Sequence, residues 1–308
     1  MIAKDISSLV GKTPLVKLNR VTQGCKAEVI AKLESFNPGH SLKDRVALSI
    51  ILDAEKKGLI KSDTIIIEPT SGNTAISLAA ICASKGYPLI LVIPESTSVE
   101  RIKILKGFGS KIVLTPKREG MIGAFKKVSE ITSGEPEKYF VAGQFKNFAN
   151  PRAHERTTAR ELWKDTSGKI DLLVSGVGTG GTITGCARYL KKKKENLKII
   201  AVEPANSPIL SGGKPGPHSI PGIGAGFIPS LYDAKLVDEI ITVTDEAAFE
   251  MTRRLAKEEG ILAGISSGAA CWSAIQVANR PENEGKMIVV IFPDTGERYL
   301  NTFGLFDV

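Results

Sequence analysis

Short apolar runs alternate along the chain with segments of helical period. Runs rich in β-branched residues predict strands at 28–32, 64–67, 89–93, 111–114, 139–142, 172–175, 198–202, 239–243 and 287–292. Several of them, such as Ile65-Ile66-Ile67 and Ile288-Val289-Val290-Ile291, lack polar alternation. Strands read this way when helices cover both faces of a parallel sheet. The intervening periodicity predicts helices at 42–57, 74–85, 99–107, 120–131, 151–164, 182–193, 245–259 and 267–278. A strand-then-helix order implies right-handed βαβ units, hence an α/β fold with parallel sheets. No repeat of fixed period or low-complexity linker interrupts it. Residues 211–229, with four prolines and six glycines, read as a long ordered loop.

Composition narrows the class without naming a function. The 308 residues suggest two domains with sizeable cores. Hydrophobic residues at 42% and charged residues at 24% exclude disorder as the main state. No run of ~18 apolar residues is present, so no membrane span is expected. The net charge of +8 raises the question of nucleic acid. Its densest run, Lys191 to Lys194, reads instead as a solvated helix C-terminus, where cations oppose the dipole. Aromatics at 6% do not interleave with it as single-strand binding requires, so no nucleic-acid partner is expected. The four cysteines, Cys25, Cys82, Cys186 and Cys271, and the three histidines, His40, His154 and His218, are dispersed. They offer no metal-ligand spacing, and reduced buried thiols are the expectation. The N-terminus shows no secretory h-region, which points to a cytoplasmic protein.

Chemistry is expected where strands end and helices begin. Three such junctions are rich in Gly, Ser and Thr: 68–74, 175–182 and 264–268. A fourth loop, 35–41, leads into Lys43-Asp44-Arg45 at a helix start. The loop 176–182 reads as an anion site, because glycines admit a ligand to the backbone and the helix presents unpaired N–H groups. Its Gly176, Gly178 and Gly181 also match a dinucleotide fingerprint, with Glu203 ending the next strand about 20 residues on. From this loop alone a single phosphate and a dinucleotide are both open. Its mid-chain position and the three other polar junctions favour the single phosphate. Lys43 is out of place in a first helical turn, which disfavours a cation. That mismatch lowers an amine's pKa and suits Schiff-base chemistry.

Four motifs in order carry a family resemblance: Ser41-Leu42-Lys43-Asp44-Arg45, Thr70-Ser71-Gly72-Asn73-Thr74, Gly178-Thr179-Gly180-Gly181-Thr182 and Gly264-Ile265-Ser266-Ser267-Gly268. With Gly11-Lys12-Thr13-Pro14-Leu15, Gln144-Phe145, the stretch 222–227 and Gly296-Glu297-Arg298-Tyr299-Leu300, the chain resembles the pyridoxal-phosphate cysteine synthases (O-acetylserine sulfhydrylases) over nearly its whole length. The resemblance implies the tryptophan-synthase-β-like fold (fold type II), with two three-layer αβα domains and mostly parallel twisted sheets. It divides the chain into 1–12 with 35–147 and 13–34 with 148–308, the early segment crossing over, and puts the site in the cleft. It implies pyridoxal 5′-phosphate bound to Lys43 as a Schiff base, Lys43 then serving as general base. Asn73 is implied for the cofactor 3′-oxygen and Gly178, Thr179, Gly180, Gly181 and Thr182 for its phosphate. Ser266 is implied for the pyridine nitrogen, and Thr70, Ser71, Thr74 and Gln144 for the substrate carboxylate. A neutral serine at the nitrogen suits prompt β-elimination better than transamination. The implied reaction is O-acetyl-L-serine plus sulfide to L-cysteine plus acetate through an α-aminoacrylate. A homodimer, closure of the smaller domain over substrate, and binding of the serine acetyltransferase C-terminal tail are implied as well.

The chain departs from the family pattern at Ala75, at Gly39-His40, at Pro293-Asp294-Thr295 and across 155–160. None of these removes an implied catalytic group, but His40 and Ala75 put the leaving group in question. Cystathionine β-synthase-like, O-phosphoserine sulfhydrylase and β-cyanoalanine synthase activities stay open beside the first reading. A nicotinamide oxidoreductase using Glu203 is the reading from a different class.

Overall fold

The computed structural model describes residues 2–307. In chain order its elements are β1 (Leu15–Lys17), β2 (Glu28–Leu33), α1 (Lys43–Lys56), β3 (Ile65–Pro69), α2 (Asn73–Lys85), β4 (Leu89–Pro94), α3 (Val99–Gly107), β5 (Lys111–Thr115), α4 (Gly120–Ser133) and β6 (Tyr139–Val141). There follow α5 (Ala149–Arg156), α6 (Thr158–Asp165), β7 (Leu172–Gly176), α7 (Gly181–Lys193), β8 (Lys198–Pro204), β9 (Glu239–Val243), α8 (Asp245–Glu259), α9 (Ile265–Ala278) and β10 (Met287–Phe292). The chain forms two compact units. One takes the chain up to Val10 together with Lys43–Asn150; the other takes Gly11–Leu42 together with the chain from Pro151 onward.

The first unit holds four parallel strands in the order β5-β4-β3-β6. Successive side chains of a strand point to opposite faces, and here both faces are covered. Ile66, Leu91 and Ile93 pack with Val46 and Ile50 of α1 and Leu78 of α2. Their neighbours Ile67, Ile90 and Val92 pack with Ala124 and Val128 of α4. The unbroken β-branched runs therefore make the middle layer of three.

The second unit holds six strands in the order β1-β2-β10-β7-β8-β9. All pairings are parallel except β1 with β2. Leu172, Val174, Ile288 and Val290 pack with α8 and α9 through Met251, Leu255, Ala270 and Ala274. Leu173, Ile199, Val289 and Ile291 pack on the opposite face with Leu162 of α6 and Ile183 and Ala187 of α7. The early strand β2 lies inside this sheet, paired residue for residue with β10 from Glu28↔Met287 to Leu33↔Phe292.

The divisions fall after Val10, Leu42 and Asn150, where the sequence reading places them after residues 12, 34 and 147. Leu42 explains the largest difference. Its N–H donates to the Pro293 carbonyl at 2.9 Å, Ser41 bridges Asp294, and its side chain joins the core around Leu173. The expected helix over 151–164 is two, because Thr157 (φ −122°, ψ −74°) leaves the helical region. The Lys191–Lys194 run does end α7, and carboxylates meet it. Lys191 pairs with Asp238 and Lys194 with Asp171, both at 2.7 Å. No helix among the described residues is long and apolar enough to cross a membrane.

Candidate active site

In the first unit, the turn between β3 and α2 carries Thr70, Ser71, Gly72, Asn73 and Thr74. Helix α2 starts at Asn73 with Gly72 at its N-cap, no capping side chain and no acid in its first turn. Its N–H groups and positive dipole end therefore face the turn unneutralised. Gly72 has φ −93°, which any residue adopts, and a Cβ there would meet nothing within 4 Å. The loop thus keeps open space beside a positive helix end. Arg101 Nη1 donates to the Ser71 carbonyl at 3.1 Å, and the Ser71 hydroxyl lies 4.0 Å from Met121 Sδ.

Gln144 follows β6 and is held from three sides. Thr74 Oγ1 donates to its Oε1 at 2.6 Å, Asn150 Nδ2 donates to its carbonyl at 2.9 Å, and its own N–H donates to Glu68 Oε1 at 3.2 Å. With Oε1 taken by Thr74, Nε2 is the end of the amide left to donate to an anion. Lys43 opens α1 and is half-buried. The acid beside it, Asp44, is buried and accepts the Ser77 hydroxyl at 2.5 Å.

The second unit presents 176–182 between β7 and α7. Its glycines are set by close backbone approach. A Cβ on Gly178 would strike the Gly222 carbonyl oxygen, and one on Gly180 would come within 2.7 Å of the Tyr232 N. Gly180 also has φ +79°, the left-handed region that disfavours a side chain. The loop is therefore fixed against 222–232, and the Gly224 N–H to Val177 carbonyl bond at 3.0 Å adds to this. Helix α7 has no acid in its first turn, so the loop is a neutral cradle for an anion. Thr182 Oγ1 lies 3.2 Å from Nε2 of the buried His154, whose Nδ1 lies 2.9 Å from Thr158 Oγ1. This relay orients the Thr182 hydroxyl. Ser266 is buried at the second position of α9, which again lacks an acid in its first turn. The adjoining Gly264 leaves no room for a Cβ beside Asp294 and Tyr299.

Within the first unit the structure thus places Thr70, Ser71, Asn73 and Thr74 on one turn and joins Gln144 to it through Thr74. Within the second it places Gly178, Thr179, Gly180, Gly181 and Thr182 on one loop and Ser266 at a separate helix start. These neutral hydroxyl, amide and N–H donors fit a phosphate, a carboxylate and a pyridine nitrogen. Glu203 does not fit a dinucleotide role. It is 1% exposed, and its carboxylate accepts the Leu210 N–H (2.8 Å) and the Ser211 N–H (2.9 Å) and hydroxyl (2.6 Å). It anchors a loop.

Sequence reasoning passed over Glu68, Arg101, Met121 and His154. Glu68 had a signal: a charged residue closing the apolar run Ile65-Ile66-Ile67. Its carboxylate is buried and accepts the N–H groups of Gly143 (2.7 Å) and Gln144 (3.2 Å). Burial pushes its carboxyl up to about 7, against the lowering effect of the two N–H bonds. Among the departures, His40 sits at φ +59° with Nδ1 3.2 Å from the Ser35 carbonyl oxygen. Ala75 is buried in the core under α2.

Comparison with known proteins agrees with these features. A family model described as "Pyridoxal-phosphate dependent enzyme" matches residues 6–294. Cysteine synthase A of Escherichia coli (strain K12) is 50% identical over 309 aligned positions, covering 98% of this chain and 95% of that protein. A cysteine synthase of Staphylococcus aureus (strain Mu50) is 51% identical, covering 97% of this chain and 96% of that protein. The crystal structure of the cysteine synthase (OASS) of Entamoeba histolytica superposes with a TM-score of 0.98 at 47% identity, covering 100% of this chain and 92% of that one.

Proposed function

Because the chain belongs to the pyridoxal-phosphate dependent enzymes, we propose that it exchanges the β-acetoxy group of O-acetyl-L-serine for sulfide, giving L-cysteine and acetate. The observation that carries this reading is the pair of neutral helix starts after β3 and β7, each without an acid in its first turn. The identity to cysteine synthases over nearly the whole chain supports it.

When bound, pyridoxal phosphate supplies the electron sink that acidifies the substrate α-proton and lets the β-group leave. The chain's own groups do the rest. Lys43 would hold the cofactor covalently, and its Nζ would accept the substrate α-proton. Asn73 would donate to the cofactor 3′-oxygen. Gly178, Thr179, Gly180, Gly181 and Thr182 bind its phosphate by N–H and hydroxyl groups. Ser266 would meet the pyridine nitrogen as a neutral partner, which favours rapid loss of a β-leaving group. Thr70, Ser71, Thr74 and Gln144 receive the substrate carboxylate, Gln144 through Nε2. The family resemblance further supports a cytoplasmic homodimer that accepts the C-terminal tail of serine acetyltransferase; sedimentation with and without that peptide tests both associations.

The deciding experiment offers O-acetylserine, O-phosphoserine and serine to the purified holoenzyme, each with sulfide and with homocysteine. O-acetylserine with sulfide is expected to give the highest kcat/KM. Preference for homocysteine would replace this reading with a cystathionine synthase. The variant Lys43→Ala is expected to fold with native circular dichroism, to lack the borohydride-reducible visible band, and to make no cysteine.

A further inference from the structure

We propose that Glu68 is a positioning residue for the reaction: its buried carboxylate holds Gly143 and Gln144 by their backbone N–H groups and so fixes the amide that receives the substrate carboxylate. The proposal rests on the substrate role of Gln144 given above.

The argument starts from an anomaly in β3. Glu68 lies in a parallel strand, paired with Leu91 of β4, and is 2% exposed. An ionisable group there is costly unless its oxygens are used. Both are used, and by one short segment: Gly143 N–H to Oε2 and Gln144 N–H to Oε1. The ladder of β3 with β6 runs Ile65↔Tyr139, Ile66↔Phe140 and Ile67↔Val141. One further bond, from Ala142 N–H to the Ile67 carbonyl at 3.2 Å, ends it. Beyond that point a side chain supplies the acceptors that a continuing strand would have supplied. Gly143 turns at φ +64°, which lets two successive N–H groups converge on one carboxylate. The segment is then locked by Asn150 on the Gln144 carbonyl and Thr74 on its Oε1. Glu68 thus joins the strand that leads into Thr70 and Ser71 to the loop that carries Gln144. It touches no reacting atom.

The test uses holoenzyme variants Glu68→Gln, Glu68→Asp, Gln144→Ala and the double variant E68Q/Q144A. E68Q keeps the volume but presents an NH2 to one of the two N–H groups. E68D keeps the charge but shortens the reach, and supplies the readout if E68Q does not fold. Expected is faster hydrogen exchange at the Gly143 and Gln144 amides by about tenfold. A rise of about tenfold in KM for O-acetylserine, with kcat within about twofold, should accompany it. The double variant should be no worse than Q144A alone, since both act through one amide. A merely structural glutamate would give KM effects that multiply in the double variant, or faster exchange with unchanged KM; either result overturns the proposal. If Q144A itself leaves KM unchanged, the substrate role of Gln144 is refuted and the proposal falls with it. An impaired Q144A beside unimpaired E68Q and E68D refutes the role of Glu68 alone.

Discussion

A carboxyl group 2% exposed in an apolar strand is easier to bury protonated than ionised, and Glu68 is pushed up to about 7 from an ordinary 4.5. Glu68 shares the parity of Ile66, so it lies on the sheet face covered by α1 and α2, where Asp44 and Arg45 of α1 are the buried charged residues. Burial raises the group and the Gly143 and Gln144 N–H bonds oppose it. A value raised on folding means that the native state holds a proton the unfolded chain has lost. The associated stability is fully present below pH 4.5 and is lost as pH rises through about 7. Its size is about 3 kcal/mol. Urea unfolding is expected to show stability falling by up to that amount between pH 5 and 8, and Glu68→Gln should flatten the fall. Function runs the other way. The ionised carboxylate accepts the two N–H groups more strongly than the acid does, so the affinity for O-acetylserine should improve over the same interval. A pH profile of KM that stays flat while stability falls would separate the two effects and count against the positioning role.

Element positions were legible in the sequence wherever the local signal was apolar and periodic. The runs at 89–93 and 287–292 are strands because β-branched residues buried on both faces have no other economical place in an α/β fold. Helix starts were read one or two residues late at 74, 182 and 267, and these are the functional ones. Their N-caps are Gly72, Gly180 and Gly264, which carry no side chain to announce a cap. Strand β1 was missed because three residues paired antiparallel at a sheet edge leave too short a pattern. The motif glycines were visible, but not what each one does: 72 borders open space, while 178 and 180 are pressed by the 222–232 segment. This difference can be tested. Gly178→Ala must displace the Gly222 carbonyl and with it the 176–182 loop, so cofactor affinity should weaken at least about tenfold. Gly72→Ala has room and an allowed φ, so it should retain cofactor and lose substrate affinity instead. Equilibrium binding followed by cofactor absorbance and the KM for O-acetylserine distinguish the two.

For the molecule as a whole, the order of the chain and the order of the sheet disagree. The second unit cannot complete its sheet from its own C-terminal half, because β2 lies between β1 and β10. Ala31 sits at that junction, fully buried, opposite Val16 on one side and Val290 on the other. Strand β2 leaves the ribosome early with only β1 beside it and waits for β10 on its other edge, a long-range closure that slows folding. Surface charge contributes little to this architecture. The α7 lysines pair with Asp238 and Asp171 at partly exposed positions, each worth about 1 kcal/mol or less. The apolar middle layer is what binds the early segment to the late one. Ala31→Asp places an unpaired carboxylate there and should cost at least about 3 kcal/mol. Its location gives a sharper expectation than its size. Hydrogen exchange should quicken first in Glu28–Leu33, Met287–Phe292 and Leu172–Gly176, strands whose covalent neighbours lie far apart in sequence. Strands β3, β4 and β5, which precede β10 in the chain and follow β2, should keep their protection, because their core is built without either. Equal loss in both sheets would mean that the two units unfold as one, and that the early segment ties their stabilities together as well as their chain.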